Sequence, residues 1–245
     1  MPAYFILSQD IHDDSITITG DLLHHLRASL RLQPNETLHL TDDRRRRHHA
    51  IVTGVTRDRL TARILHSIEG PERLHPRLTL GQAILKGDHM DWIVQKATEL
   101  GVDTIVPLIT RRSIVRPQEA RIANQTSRWQ RIACEAAQQS EQWQLPTVQA
   151  PVKLHEFVAQ SNGTLRLILV ERAGGQRLGE VQLPTGSDAS IAVAVGPEGG
   201  WHAEETAMAE EQRFQPITLG GAILRSETAS LAAVAIIQSR SSVLG

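Results

Sequence analysis

Two stretches near the carboxyl end of the chain carry the residue types that ligand chemistry needs. The first, Gly196-Pro197-Glu198-Gly199-Gly200-Trp201, follows the wholly apolar run 191–195. Glycines let a backbone take positive φ and approach a ligand with no Cβ in the way. The second, Leu219-Gly220-Gly221-Ala222-Ile223-Leu224-Arg225-Ser226-Glu227-Thr228-Ala229, sets two apolar residues where a loop is ordinarily polar. It then places Arg225 and Glu227 at the start of a helical pattern, with Ser226 as the expected cap. A flat apolar slot rimmed by backbone N–H and C=O groups suits a purine ring, and charged groups at its edge suit a reacting polar substrate. Taken singly, each stretch is equally an ordinary strand-to-helix turn.

Other chemistries lack their residues. No G-x-G-x-x-G follows a first strand, and neither G-x-x-x-x-G-K-[ST], H-E-x-x-H nor a serine elbow is present. The single cysteine, Cys134, cannot form an internal disulfide or build a zinc site with other cysteines. The eleven histidines are scattered, and the adjacent pairs His24-His25 and His48-His49 point in different directions on regular elements. They read as surface or core residues, and no metal is expected.

The formal net charge of −1 argues at first against a nucleic-acid partner. The average conceals local structure. Between Arg111 and Arg131 stand six arginines, among them Arg112 and Arg116, against one acid, Glu119, a local charge of +5. A second run, Arg44, Arg45, Arg46 and Arg47, is expected in a loop after Asp42-Asp43. Arginine suits bidentate phosphate contact and stacking on bases, although such runs are also common as solvated faces. With 40% hydrophobic and 22% charged residues the chain reads as a folded protein. Its apolar runs fall short of the roughly 18–20 residues that cross a bilayer, so no membrane is expected. The opening Met-Pro-Ala-Tyr lacks the order of a secretory signal, and the expected location is cytoplasmic.

The elements that must position these loops fall into two groups. Residues 1–72 read as short alternating strands at 15–18, 37–40, 50–54 and 60–65, with one amphipathic stretch at 22–30, a small mainly β module. Gly70-Pro71 and Pro76 mark a linker. From residue 78 the period changes: strands at 78–83, 104–108, 166–170, 191–195 and 217–219 alternate with helices at 88–100, 122–139, 203–211 and 228–240. Alternation predicts a parallel sheet covered on both faces. Such a sheet binds ligands beyond the carboxyl ends of its strands, and both glycine-bearing loops lie there.

The combination Lys86-Gly87-Asp88, Trp92, Gln95-Lys96, Glu99-Leu100-Gly101-Val102, Pro107, Gly196-Pro197-Glu198-Gly199-Gly200 and Leu219-Gly220 through Ala229 resembles the 16S ribosomal RNA (uracil-N3)-methyltransferases. The resemblance covers essentially the whole chain. It implies an α/β fold with a PUA-like β-barrel over 1–72 that binds RNA, and over 73–245 a SPOUT methyltransferase domain with a parallel sheet and a deep C-terminal trefoil knot. It also implies S-adenosyl-L-methionine as cofactor. The corresponding binding positions are Gly196, Pro197, Glu198, Gly199 and Gly200, then Leu219, Gly220, Ile223, Leu224, Arg225, Thr228 and Ala229. Val170 and Glu171 form a third wall. The implied partners are 16S ribosomal RNA, free or in the assembled small subunit, and a second copy of the chain in a homodimer. The apolar helix 228–240 agrees with burial in a core or interface.

For a base nitrogen that carries a proton, the negative charge formed in the reaction must be held, and Arg225 is the candidate. Glu227 or Glu198 would orient Arg225 or accept the proton. The target base must be unpaired or flipped out. Arg111, Arg112 and Arg116, joined by Arg44–Arg47, are the candidates for gripping RNA. Two departures from the family pattern lie in the first module: no basic residue stands near position 3, and Thr41-Asp42-Asp43-Arg44-Arg45 replaces a glycine-containing turn. The competing readings are a knotted methyltransferase acting on a ribose 2′-hydroxyl, an RNA-binding factor without catalysis, and a nucleotide hydrolase.

Overall fold

A computed structural model describes residues 3–115, 117–171 and 175–243. The chain divides into two compact units, one of Met1–Glu72 with Ala137–Leu145, the other of Arg73–Ala136 with Pro146–Gly245.

The first unit contains β1 (Tyr4–Phe5), β2 (Ile11–His12), β3 (Ser15–Ile18), α1 (Gly20–His25), β4 (Thr37–Thr41), β5 (Arg46–Val55) and β6 (Leu60–Glu69). The strands form one sheet in the order β1-β4-β5-β6-β3-β2. Its pairs are antiparallel except β1 on β4. Alternate residues are buried, Leu38 and Leu40 on β4 and His48, Ala50 and Val52 on β5, so one face builds a core with Ile16, Ile18 and Leu26. The expected single helix at 22–30 is instead α1 followed by a π-helical turn, Leu26–Leu30.

The arginine run is not a loop. β5 begins at Arg46, so Arg46 and Arg47 are strand residues and only Arg44 and Arg45 belong to the turn. The cause is Asp42, whose buried carboxylate accepts the backbone N–H groups of Arg44 (2.9 Å) and Arg46 (2.8 Å). Arg45 closes the turn at φ +64°, a conformation that favours glycine, at a place where the resembled family has a glycine-containing turn. The guanidinium of Arg47 lies 3.8 Å over the ring of Trp143 and donates to the carbonyl of Glu141. Those contacts hold Ala137–Leu145 in the first unit, which is therefore built from two stretches of chain and not from 1–72 alone.

The second unit contains β7 (Arg77–Ala83), α2 (His89–Glu99), β8 (Thr104–Ile109), most of α3 (Glu119–Gln139), β9 (Thr147–Val148), β10 (Val152–Lys153), α4 (Leu154–Gln160), β11 (Leu165–Leu169), β12 (Gln176–Arg177), β13 (Ser190–Val195), α5 (Ala203–Glu211), β14 (Gln215–Thr218) and α6 (Ser226–Arg240). Its strands run β10-β8-β7-β13-β11-β14-β12, with β9 beside β8, and every pair is parallel. Residues of β13 divide between the two faces. Ile191, Val193 and Val195 pack with Met90 and Ile93 of α2 and Val234 and Ile237 of α6; Ala192 and Ala194 pack with Phe157 of α4 and Ala209 of α5. A strand covered on both sides reads as an unbroken apolar run, which is why 191–195 shows no alternation. Gly81 on β7 admits Phe157 so closely that a Cβ there would stand 2.7 Å from the ring. Helix α6 is not buried all round in the chain. Its covered positions, Ser226, Ser230, Ala233, Val234, Ile237 and Gln238, form one face, and Leu231, Ala232, Ala235 and Ile236 are half-buried.

Candidate active site

The carboxyl ends of β7, β11, β13 and β14 open on one cavity of about 1180 Å³. Both glycine-bearing loops line it. From the loop after β13 come Gly196, Pro197, Glu198 and Gly200; from the loop after β14 come Leu219, Ile223, Leu224, Arg225, Glu227, Thr228 and Ala229; from the end of β11 come Val170 and Glu171. Gly199 and Gly220, also expected at the site, are not among the lining residues. Residues 172–174, which continue from Glu171, lie outside the described residues. Ile223 and Leu224 are 57% and 37% exposed, apolar side chains turned into an open cleft and not into the core.

Close backbone packing explains the glycines. A Cβ on Gly196 would stand 3.1 Å from the ring of Trp201, and one on Gly200, at φ +67°, would stand 2.8 Å from Oε1 of Glu171. Trp201 ties two loops together, since its Nε1 donates to the carbonyl of Leu169 (2.8 Å) while its ring lines the cavity. Helix α5 opens with a capping box at His202 and Glu205: the backbone N–H of His202 donates to Glu205 Oε2 (3.0 Å), and that of Glu204 to His202 Nδ1 (3.4 Å).

A buried polar cluster fastens the second loop. Gln82, fully buried near the end of β7, donates to Ser226 Oγ (3.3 Å) and accepts from Ser230 Oγ, and Ser226 Oγ in turn donates to the carbonyl of Gly196. Ser226 is thus the first residue of α6 and a strut between loops; it does not cap the helix, whose N-cap position is Arg225. Glutamine between Gly81 and Ala83, at the buried end of β7, is the signal for this cluster.

The charged groups are arranged differently from expectation. Glu227 pairs with His89, Nδ1 to Oε1 at 3.4 Å, and not with Arg225. Arg225 is exposed at the cavity and has no ion-pair partner among the described residues. Arg111 forms an ion pair with Glu204, and its backbone N–H donates to Glu205 Oε1 (2.8 Å). Arg112 donates to the carbonyl of Gly199 (2.9 Å). Both therefore brace the first glycine loop, so reversing their charge would disturb the cavity as well as any RNA contact. Arg116 lies outside the described residues. Further along, Asp91 binds Arg128, first through its hydrogen bond and then through its charge, and raises the guanidinium's pKa. In the first unit Arg44 is exposed, Arg45 donates to the carbonyl of Pro71 (2.8 Å), and Arg46 pairs with Glu69 (2.8 Å).

Lys86, Gly87, Asp88, His89 and Trp92 also line the cavity. Lys86, Gly87, Asp88 and Trp92 carry part of the resemblance without being expected at the site, and His89 belongs to neither set. Applying the strand-end rule to β7, as it was applied to β13 and β14, identifies them. The half-buried thiol of Cys134 is pushed up in pKa by burial and, secondarily, by Glu135, which disfavours the thiolate a nucleophile needs. Among the described residues no group of three or more His, Cys, Asp or Glu side chains could hold a metal, and no helix is long and apolar enough to cross a membrane.

A family model described as an RNA methyltransferase domain matches residues 72–238, and one described as an RNA methyltransferase PUA domain matches residues 18–65. The ribosomal RNA small subunit methyltransferase E of Synechocystis sp. is 35% identical over 240 residues, 95% of this chain and 75% of that protein. The chain belongs to the ribosomal RNA small subunit methyltransferase E family. The methyltransferase E of Bacillus subtilis is 28% identical across 100% of this chain and 98% of its own length. The solved structure of methyltransferase E from Neisseria gonorrhoeae, bound to S-adenosyl methionine, is 34% identical, covers 98% of both chains and superposes with a TM-score of 0.85. Membership agrees with the resemblance read from the loops, and with the fold class: a small N-terminal β unit and an α/β unit with a parallel sheet.

Proposed function

We propose that the chain transfers a methyl group from S-adenosylmethionine to a base of small-subunit ribosomal RNA. One observation carries the reading: the residues expected to hold the donor, all but Gly199 and Gly220, come from three loops and line a single cavity at the strand ends of a methyltransferase E fold.

The residues present fit the donor. Gly196 and Gly200 line the cavity with no Cβ, and the space a Cβ would need is taken by the Trp201 ring and the Glu171 carboxylate that line the same cavity. Ile223 and Leu224 offer apolar surface to a flat ring, and Glu171 and Glu198 offer carboxylates to hydroxyls or to an amino group. The donor supplies an electrophilic methyl carbon, so neither metal nor covalent enzyme intermediate is required. What remains for the protein is alignment and charge. Bringing the acceptor to the donor in line converts a bimolecular step into a positioned one. Arg225 supplies a fixed cation at the cavity for the charge that spreads over the base carbonyls as its ring nitrogen loses a proton.

We further propose uracil N3 as the acceptor atom, a homodimer that covers the half-buried flank of α6, and a knotted passage of the chain through the loops after β13 and β14. The 16S ribosomal RNA would be gripped through Arg44, Arg111, Arg112 and Arg116, in a cytoplasmic setting. The experiment is direct. Small-subunit RNA from cells lacking the protein is incubated with it and labelled S-adenosylmethionine, then digested to nucleosides. Label in 3-methyluridine supports the reading; label in a 2′-O-methyl nucleoside, or none, overturns it.

A further inference from the structure

We infer that His89 takes the proton from the acceptor nitrogen, with Glu227 as the positioning residue behind it; this rests on the methyltransferase reading above.

The two side chains reach one place from distant parts of the sequence. His89 is the first residue of α2, where the chain leaves β7, and its imidazole lines the cavity with half of its surface exposed. Glu227 lies in the first turn of α6, and its side chain is only 12% exposed. The carboxylate stands 3.4 Å from Nδ1, at ion-pair distance; in the proposed arrangement Nδ1 keeps its proton on the side of Glu227 and Nε2 carries the lone pair. A half-exposed imidazole turned to a cavity and backed by a mostly buried carboxylate is the arrangement of a base and its orienter. Glu227 is the poorer candidate for direct contact, because it is largely covered and already faces a partner.

Removal of the proton is the demanding step on a pyrimidine ring nitrogen whose lone pair is delocalised. The N–H bond breaks and its proton passes to Nε2. The electron pair left on nitrogen forms the bond to the methyl carbon, while the carbon–sulfur bond breaks and its pair stays on sulfur, which becomes a neutral thioether. Glu227 compensates the imidazolium until the proton leaves to solvent, and Arg225 faces the charge on the base. Other charged groups line the same cavity: Lys86 and Asp88 on the approach to α2, Arg225 before α6, Glu198 after β13 and Glu171 after β11. Any pH dependence must therefore be assigned by variants.

Single-turnover methyl transfer to small-subunit RNA tests the inference in wild type, His89→Gln, His89→Gly and Glu227→Gln. His89→Gln is expected to slow transfer by about 100-fold or more, in the range of general base catalysis. Its affinities for S-adenosylmethionine and RNA, read by calorimetry and filter binding, stay at the wild-type level, since a half-exposed side chain is removed. Added imidazole restores transfer to His89→Gly, more strongly with more basic imidazoles. Glu227→Gln slows transfer by about tenfold and displaces the wild-type pH profile. His89→Gln at the wild-type rate, or His89→Gly indifferent to imidazole, overturns the inference while leaving the methyltransferase reading intact. A wild-type protein that transfers no methyl group overturns both.

Discussion

Two polar clusters, one in each unit, differ in chemistry and in what they hold. In the first unit, Asp42, His48 and Ser67 form a cluster of ionisable and hydroxyl groups: His48 Nδ1 lies 2.8 Å from Ser67 Oγ, and Nε2 lies 3.2 Å from Asp42. It fixes the hairpin turn between β4 and β5. In the second, Gln82, Ser226 and Ser230 form a neutral cluster that fixes the start of α6 against the carbonyl of Gly196. The strut that fastens the second loop carries no charge, whereas the first loop is braced by Arg111, Arg112 and the buried Glu205.

Substitution in the neutral cluster should have the largest consequence. Gln82→Leu keeps volume but removes one partner each from Ser226, which keeps the Gly196 carbonyl, and Ser230, which keeps the Ser226 carbonyl, at a cost of about 2 kcal/mol. Because the same strut holds both loops, S-adenosylmethionine affinity should fall about tenfold or more, one lost positioning contact being worth roughly 1.4 kcal/mol. Denaturant unfolding and calorimetry measure the two effects, and unchanged affinity would separate the cluster from the cavity. Asp42→Ala should cost about 2 kcal/mol, since it strands His48 and two backbone N–H groups. Its loss should appear in hydrogen exchange of β4 and β5, with donor affinity unchanged.

The smallest effect is a pH dependence confined to the first unit. His39, His49 and His66 stand side by side on β4, β5 and β6, with ring centroids 4.7 Å and 5.0 Å apart. Burial first, and then the neighbouring charge of His49, lower the His39 pKa from its ordinary value of 6.5. The unfolded chain therefore binds the proton more readily than the folded one. The stability His39 retains above pH 6.5 is lost as pH falls through that value towards the lowered one. Protection factors in the first unit, corrected for the intrinsic pH dependence of exchange, should fall slightly between pH 7 and pH 5, and His39→Asn should flatten the slope.

The sequence was most legible where one periodicity runs unopposed. Residues 203–211 become α5 because a cap, a box and a helical pattern agree, and 191–195 lie within β13 because nothing polar interrupts them. It was least legible where tertiary contact decides. Arg46 and Arg47 are no strand formers, yet their pairing with Glu69 and Ile68 extends β5. The two-residue strands β9, β10 and β12 exist only through their neighbours, and α4, at seven residues, is too short for a clear helical period. In the candidate site the glycines and the apolar pair Ile223-Leu224 announced the cavity. The partner of Glu227 did not appear in spacing, because α2 and α6 meet only in three dimensions.

The central claim is that the ends of β7, β11, β13 and β14 build one donor site. Calorimetric titration of S-adenosylmethionine into the wild-type protein and into Gly200→Val, whose side chain would meet Glu171 and resist φ +67°, tests it most directly. Saturable binding with one donor per chain is expected in wild type and its loss in the variant; no heat in wild type, or undiminished binding in Gly200→Val, would show that these strand ends do not form the donor site.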